Sequence, residues 1–156
     1  MDALCSIINF MKKISISSCL LGCNCRYDAS HNLNQMLLER LDAYELIPFC
    51  PEDYAFGSPR PTMDLIKEEK DISAVSNATQ KNLSQAIFNY AKAFFDQNPA
   101  IELFIGKDRS PSCGVKSAKV YDKEKNLLHT EGTGLMAQVA KERGIECWDA
   151  EEYLKL

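Results

Sequence analysis

Seven cysteines, at positions 5, 19, 23, 25, 50, 113 and 147, are the residues of this sequence best suited to chemistry. The count is odd. No secretory signal precedes them, because the basic pair Lys12-Lys13 follows the weakly apolar stretch Met1–Phe10 instead of leading it. A cytoplasmic protein with reduced thiols is therefore expected, and cysteines there more often serve metals or catalysis than disulfides. A structural zinc site takes four ligands, commonly as closely spaced pairs, and the C-x-C of Cys23 and Cys25 is not the usual spacing. A phosphatase loop needs a cysteine, five residues and an arginine. Six residues separate Cys19 from Arg26, and Cys113 has no arginine in the required place. There is no G-x-G-x-x-G and no Walker lysine loop.

The chain has 156 residues, 46 % of them hydrophobic and 26 % charged, which is ordinary for one globular domain. Lys and Arg number 18 against 22 Asp and Glu, a net charge of −4. That balance disfavours a free-standing nucleic-acid binder, which carries a basic surface. No apolar run approaches the ~18 residues of a membrane helix. Residues 1–11 are expected to be an extension and 12–156 the folded domain, with Met11 a candidate alternative start.

Alternation of Ile14 and Ile16 with serines predicts a strand from Lys13 to Cys19. Leu33, Met36, Leu37, Leu41 and Tyr44 form a helical stripe. Leu46–Cys50 is a short strand whose Pro48 argues against a fully paired central position. Residues 51–76, with Gly57, Pro59, Pro61 and the charged run Lys67–Asp71, are expected to be an irregular loop or lid. A helix is predicted over Thr79–Gln97, capped by Asn77 and Gln80 and closed by Asn98-Pro99. Strand 101–105, a hairpin of 119–121 with 127–129, helix 135–143, strand 145–148 and a terminal helical turn complete the chain. Strands alternating with helices predict an α/β fold, a small single-domain three-layer sandwich with a mostly parallel sheet. In such sheets ligands bind at the carboxyl ends of the strands. Cys19 ends the first strand, Cys50 ends the second, and Cys113 lies in the loop leaving strand 101–105. If these strands are neighbours, three distant thiols converge on one sheet edge. A cubane iron–sulfur cluster takes four thiolates for full ligation, so three would leave one iron open, a mark of catalytic metal sites.

Five blocks carry a resemblance: Ser18-Cys-Leu-Leu-Gly22, Cys25-Arg-Tyr-Asp28, Cys50-Pro-Glu52, Pro59-Arg-Pro61 and Arg109-Ser-Pro-Ser-Cys-Gly114. In this order, and over nearly the whole chain after Met11, the sequence resembles the thiouracil desulfidase (TudS-like) family, formerly a domain of unknown function. The resemblance implies a 4Fe–4S cluster held by Cys19, Cys50 and Cys113, with one open iron that takes the sulfur of a thiocarbonyl. It implies non-redox conversion of C=S to C=O with release of sulfide. The chain departs from the family pattern at Ala29-Ser-His31, where many relatives have glycines, and at Thr62, where a second proline is common. Segment 67–76 also looks shorter than usual. These departures bear on the lid and substrate preference. Other members carry an added C-terminal domain and act on thiolated tRNA. No such sequence follows Leu156, and the net charge is negative, so a free thiolated base or nucleoside is the expected substrate.

Beside the three cysteines, Glu52 directly follows Cys50-Pro51 and is expected to exchange protons with the substrate or activate water. Ser110 lies three residues before Cys113 and is expected to hydrogen-bond a ring carbonyl or a water, with Ser112 a weaker candidate. Arg26, Arg60 and Arg109 suit either an anionic cluster or substrate, or internal ion pairs, and Tyr27 either stacks on a pyrimidine or fills the core. Cys23 and Cys25 are expected to serve local packing, Cys5 and Cys147 to be structural, and His31 and His129 to be ordinary. The rival readings are a non-enzymatic metal or cluster-binding protein and a nucleotide-binding regulatory module.

Overall fold

A computed structural model describes residues 11–156. The expectations for residues 1–10, including the extension and Cys5, lie outside the described residues. The first strand, β1 (Lys13–Ser17), is buried on both faces. Ile14 and Ile16 enter one core. On the other face the serines need partners, since a buried hydroxyl left unpaired is costly. Ser15 Oγ donates to the Leu103 carbonyl at 3.1 Å, and Ser17 Oγ accepts the Lys107 N–H at 3.0 Å. A 3-10 turn over Ser18–Leu21 follows, ended by Gly22 at φ 92°. Helix α1 (Gln35–Arg40) is capped by the Asn34 side chain, which accepts the Leu37 N–H. It leads into β2 (Glu45–Phe49) and the short helix α2 (Pro51–Phe56).

The main sheet also contains β5 (Ile101–Gly106) and β8 (Glu146–Asp149) in the order β2-β1-β5-β8, with every pair parallel. The chain moves outward from β1 to β2, then returns to the other side of β1 as β5. The β1–β5 boundary is thus the topological switch point, where such sheets open a crevice at their carboxyl ends. β2 is an edge strand, where Pro48 can be tolerated. On one face Ile14, Ile16, Leu103 and Ile105 pack on Leu37 and Leu41. On the other, Phe49 and Phe104 stack at 4.8 Å and meet two longer helices, α3 (Ser84–Gln97) and α4 (Leu135–Glu142). Helices on both faces make the expected three layers. The terminal helix α5 (Ala150–Tyr153) adds Ala150 to the first face.

Residues 51–76 differ from the expected irregular lid: Pro51–Phe56 is helix α2, and residues 63–76 are strands. They form an antiparallel pair, β3 (Met63–Glu68) and β4 (Asp71–Ser76), within a second sheet of order β4-β3-β6-β7. Met63, Leu65, Ala74 and Ser76 are buried, and the charged run Lys67–Asp71 is the exposed tip of the hairpin. Charges at a strand tip read in sequence like a loop. The second hairpin is as predicted, with β6 (Ala118–Tyr121) and β7 (Leu127–Gly132) joined by a turn in which the Asp122 carboxylate accepts the N–H groups of Glu124 and Asn126. Helix α3 begins at Ser84, not Thr79, because residues 77–83 are tied to the end of β4. Ser76 Oγ accepts the N–H groups of Ala78 and Thr79, and Leu83 N–H donates to the Ala74 carbonyl. Among the described residues, no helix is long and apolar enough to cross a membrane.

Phe104 is fully buried at the centre of the aromatic stack. Phe104→Ala should lower unfolding stability by about 3–5 kcal/mol. Denaturant titration of both proteins reads this directly.

Candidate functional site

A cavity of about 490 Å³ opens at the carboxyl ends of β1, β2 and β5. The first wall is the sheet edge, which supplies Cys19, Cys50 and Cys113. Cys19 sits in the 3-10 turn after β1. Cys50 caps α2, its Sγ accepting the Asp53 N–H at 3.4 Å. Ser18 Oγ donates to the Phe49 carbonyl at 2.9 Å and so holds the ends of β1 and β2 together. The second wall comes from the other sheet, with Asp64, Lys119 and Tyr121. The loop 25–32 closes the third side and is pinned by the Arg60 N–H donating to the Tyr27 carbonyl at 2.7 Å.

The Cys113 loop is built without slack. A Cβ on Gly106 would overlap the Cys113 carbonyl, and one on Gly134 would overlap the Ser112 backbone. Ser110 Oγ accepts the N–H groups of Ser112 (3.2 Å) and Cys113 (3.0 Å), which leaves its own hydrogen to donate. Asp149, 2 % exposed at the end of β8, accepts the Val115 N–H, the Lys116 N–H and the Ser117 hydroxyl at 2.8, 3.0 and 2.8 Å. Tyr90 of α3 accepts the Cys50 N–H at 3.2 Å. Neither Asp149 nor Tyr90 had a legible signal in sequence: Tyr90 falls in the stripe of a core helix, and Asp149 merely ends a strand.

Cys25 is a fourth thiol at the cavity. It was expected to serve packing; it is buried, and its backbone carbonyl accepts a hydrogen bond from Cys50 Sγ at 3.7 Å. The Cys25 side chain beside it, with help from Asn32, Lys107 and Arg26, lowers the Cys19 thiol to about 7. Cys25 and the Asp53 N–H lower Cys50 as well. Cys25 itself is pushed well up by its neighbours Cys19 and Cys50. Cys113 is raised well above the usual thiol range by burial and by the neighbouring charges of Cys50 and Glu52. Cys23 is exposed and is not a lining residue, and Cys147 donates to the Ile145 carbonyl in β8, remote from the cavity.

Glu52 faces the cavity with both oxygens engaged: Ser112 Oγ donates to Oε2 at 2.8 Å, and Arg60 Nε lies 3.5 Å from Oε1. Arg60 thus pairs with the carboxylate. The Arg109 guanidinium turns outward to Glu151 at 3.2 Å, an exposed pair at the rim. Tyr27 is 42 % exposed at the mouth, with the Arg26 guanidinium 5.5 Å from its ring centroid. Lys107, half-buried and lining the cavity, was missed by the sequence reading; burial and Arg109 lower its pKa.

Among the described residues, no three His, Cys, Asp or Glu side chains gather into a set that could hold a metal ion. The donors suit a larger soft group. A cubane cluster takes each thiolate on a different iron, so its ligands surround a space instead of meeting at a point. Thiols after three adjacent strands, around one cavity, fit that requirement.

A family model described as 2-thiouracil desulfurase matches residues 14–152. The uncharacterized protein YbbK of Bacillus subtilis (strain 168) is 26% identical over 141 residues, 84% of this chain and 91% of YbbK. The solved structure of the 4Fe–4S-dependent thiouracil desulfidase TudS is 25% identical and superposes with a TM-score of 0.73, over 93% of this chain and 95% of that one.

The lowered Cys19 pKa has a direct consequence in metal-free protein. Below about 7 its thiol is protonated and slow, and above it the reactive thiolate dominates. Iodoacetamide labelling of Cys19, followed by peptide mass mapping, should therefore rise through pH ~7. Cys113 should stay unlabelled over the same range.

Proposed function

We propose that this chain, which belongs to the 2-thiouracil desulfurase family, is an iron–sulfur desulfidase that converts the C=S of a free thiolated pyrimidine to C=O and releases sulfide without net redox change. The observation that carries this reading is the meeting of Cys19, Cys50 and Cys113 with the Glu52 carboxylate around one cavity. The 4Fe–4S dependence named for TudS supports the same cofactor here. Cys19, Cys50 and Cys113 would hold the cluster. When bound, it supplies an open Lewis-acidic iron, soft enough to suit the sulfur of a thiocarbonyl.

The chain's own residues do the rest. The reaction adds the oxygen of water to the carbon that loses sulfur, and the two protons of water leave with sulfur as hydrogen sulfide. Glu52 is held by Ser112 and Arg60 with its carboxylate in the cavity, so it can take a proton from water and return it. Ser110, its oxygen saturated by two N–H groups, presents its hydrogen to a ring carbonyl or a water. Tyr27 at the mouth offers an aromatic face to a flat ring. A cluster carrier would need the thiols but no carboxylate among them. The net charge of −4 favours a free base or nucleoside over thiolated tRNA, since binding RNA through many phosphates needs a basic surface.

Anaerobic reconstitution with iron and sulfide, then a screen of thiolated bases and nucleosides for sulfide release, tests the reading. Reconstituted protein should hold about four irons and four sulfides per chain and absorb broadly near ~400 nm. A stable single zinc with no iron uptake would overturn it. Single replacement of Cys19, Cys50 or Cys113 by Ser should abolish turnover and lower iron content, whereas Cys147→Ser should leave both intact. Cys25→Ser should keep the cluster; iron loss as complete as in Cys19→Ser would make Cys25 a fourth ligand and remove the open iron.

Glu52→Gln and Ser110→Ala should assemble a normal cluster yet turn over at least ~10-fold more slowly, a barrier change of about 1.4 kcal/mol or more. Iron assay with steady-state kinetics separates chemistry from assembly. Wild-type turnover in both variants would reduce these residues to a structural role. Sulfide release should also be slower from thiolated tRNA than from the free base under matched conditions.

A further inference from the structure

A second, smaller cavity of about 170 Å³ adjoins the main one at Glu52. Glu52, Arg60 and Met63 line both and form the partition between them. The smaller cavity's exposed lining residues are Pro61 and Thr79, with Leu83 partly buried and Ser76 buried beside them. At about 30 Å³ per molecule, the volume has room for several waters. A second observation places a polar demand on Arg60, which lines both cavities. The Arg60 side chain is only 6% exposed, and its Nε is buried without a hydrogen-bond partner among the described residues. Its terminal nitrogen is satisfied by the Gly57 carbonyl at 2.9 Å and the Ser58 hydroxyl at 2.6 Å, but Glu52 Oε1, 3.5 Å from Nε, lies outside hydrogen-bond geometry. A buried N–H in this position calls for a water.

Resting on the desulfidase reading, the reaction consumes one water after the base has bound. A flat base seated with its C=S inward covers the mouth through which that water would otherwise come. We propose that the small cavity is a water site and side channel that feeds the Glu52 carboxylate from solvent while the substrate occupies the main cavity. A water on Arg60 Nε lies beside Oε1, where Glu52 can draw the next molecule toward the reacting carbon. The water's oxygen bonds to that carbon, the C–S bond breaks, and both protons leave with the sulfur. Arg60 acts here as a positioning residue, fixing the carboxylate and its water.

The test is to plug the smaller cavity. Thr79→Trp places bulk on an exposed lining residue, Leu83→Trp places it on a partly buried one, and Lys81→Trp puts the same bulk on an exposed neighbour that lines neither cavity. In reconstituted protein, both plugs should lower kcat at least ~5-fold, with KM for the thiolated base within about 2-fold and iron per chain unchanged, because the blocked step follows binding. Lys81→Trp should match wild type. Crystals of the reconstituted wild type grown with the non-thiolated base should show water on Arg60 Nε, and Thr79→Trp crystals should lack it. Wild-type kcat in both plugs, or a wild-type crystal in which protein atoms close the space against Nε, would overturn the channel. If wild-type protein releases sulfide from no thiolated base, the desulfidase reading fails instead, and the crystals still decide the water site.

Discussion

The site depends on one close contact. The Cys113 carbonyl occupies the space that a side chain on Gly106 would fill, and the Ser112 backbone does the same at Gly134. The loop carrying Cys113 is therefore clamped between the end of β5 and the start of α4. Asp149 closes the clamp from β8 through three hydrogen bonds to residues 115–117. A loop held at both ends by backbone contact has little freedom. That rigidity suits a ligand whose thiol must meet two others arriving from different strands.

Burial and neighbouring groups set the electrostatics. Burial opposes charge on Cys113, while the neighbouring Cys25 side chain lowers the pKa of Cys19 and of Cys50. Cys25 itself is pushed up by the same two neighbours. The four thiols at the cavity are thus unequal, through burial and through the groups beside each. On the far side, Glu52 is steadied by a serine hydroxyl and a buried guanidinium, so a carboxylate is kept in a site already rich in sulfur. A buried charge left unpaired would be costly, and Arg60 offsets it.

The second sheet has two jobs. Its β3 and β6 form the wall facing the thiols, and its β4 end carries the turn that borders the smaller space adjoining Glu52. A mobile lid would leave the carboxylate open to bulk solvent. Two paired strands with Leu65 and Val120 fully buried instead make a fixed wall. Water access then becomes a matter of where the wall is thin.

Much of this protein is written locally. The Ile-Ser alternation before Cys19, the apolar strand 101–105 and the punctuation of Pro48, Asn98-Pro99 and Gly144 are short-range patterns, and the corresponding elements lie within a few residues of their expected bounds. The placement of Cys19, Cys50 and Cys113 just after strands was legible for the same reason, as were the five blocks in their order. Which strands are neighbours was not legible, because parallel pairing is chosen by packing between segments far apart in the chain. Only the order β2-β1-β5-β8 brings Cys50, Cys19 and Cys113 to one edge. The charged tip of the β3–β4 hairpin hid a strand pair, since exposed charges look alike in a loop and at a sheet end. Ser112 reaching Glu52 across 60 residues, Arg109 turning out to Glu151, and Cys25 settling between two other thiols are contacts of side chains from separate segments. No local period encodes them. They exist only once the core has fixed the distances between the strands that carry them.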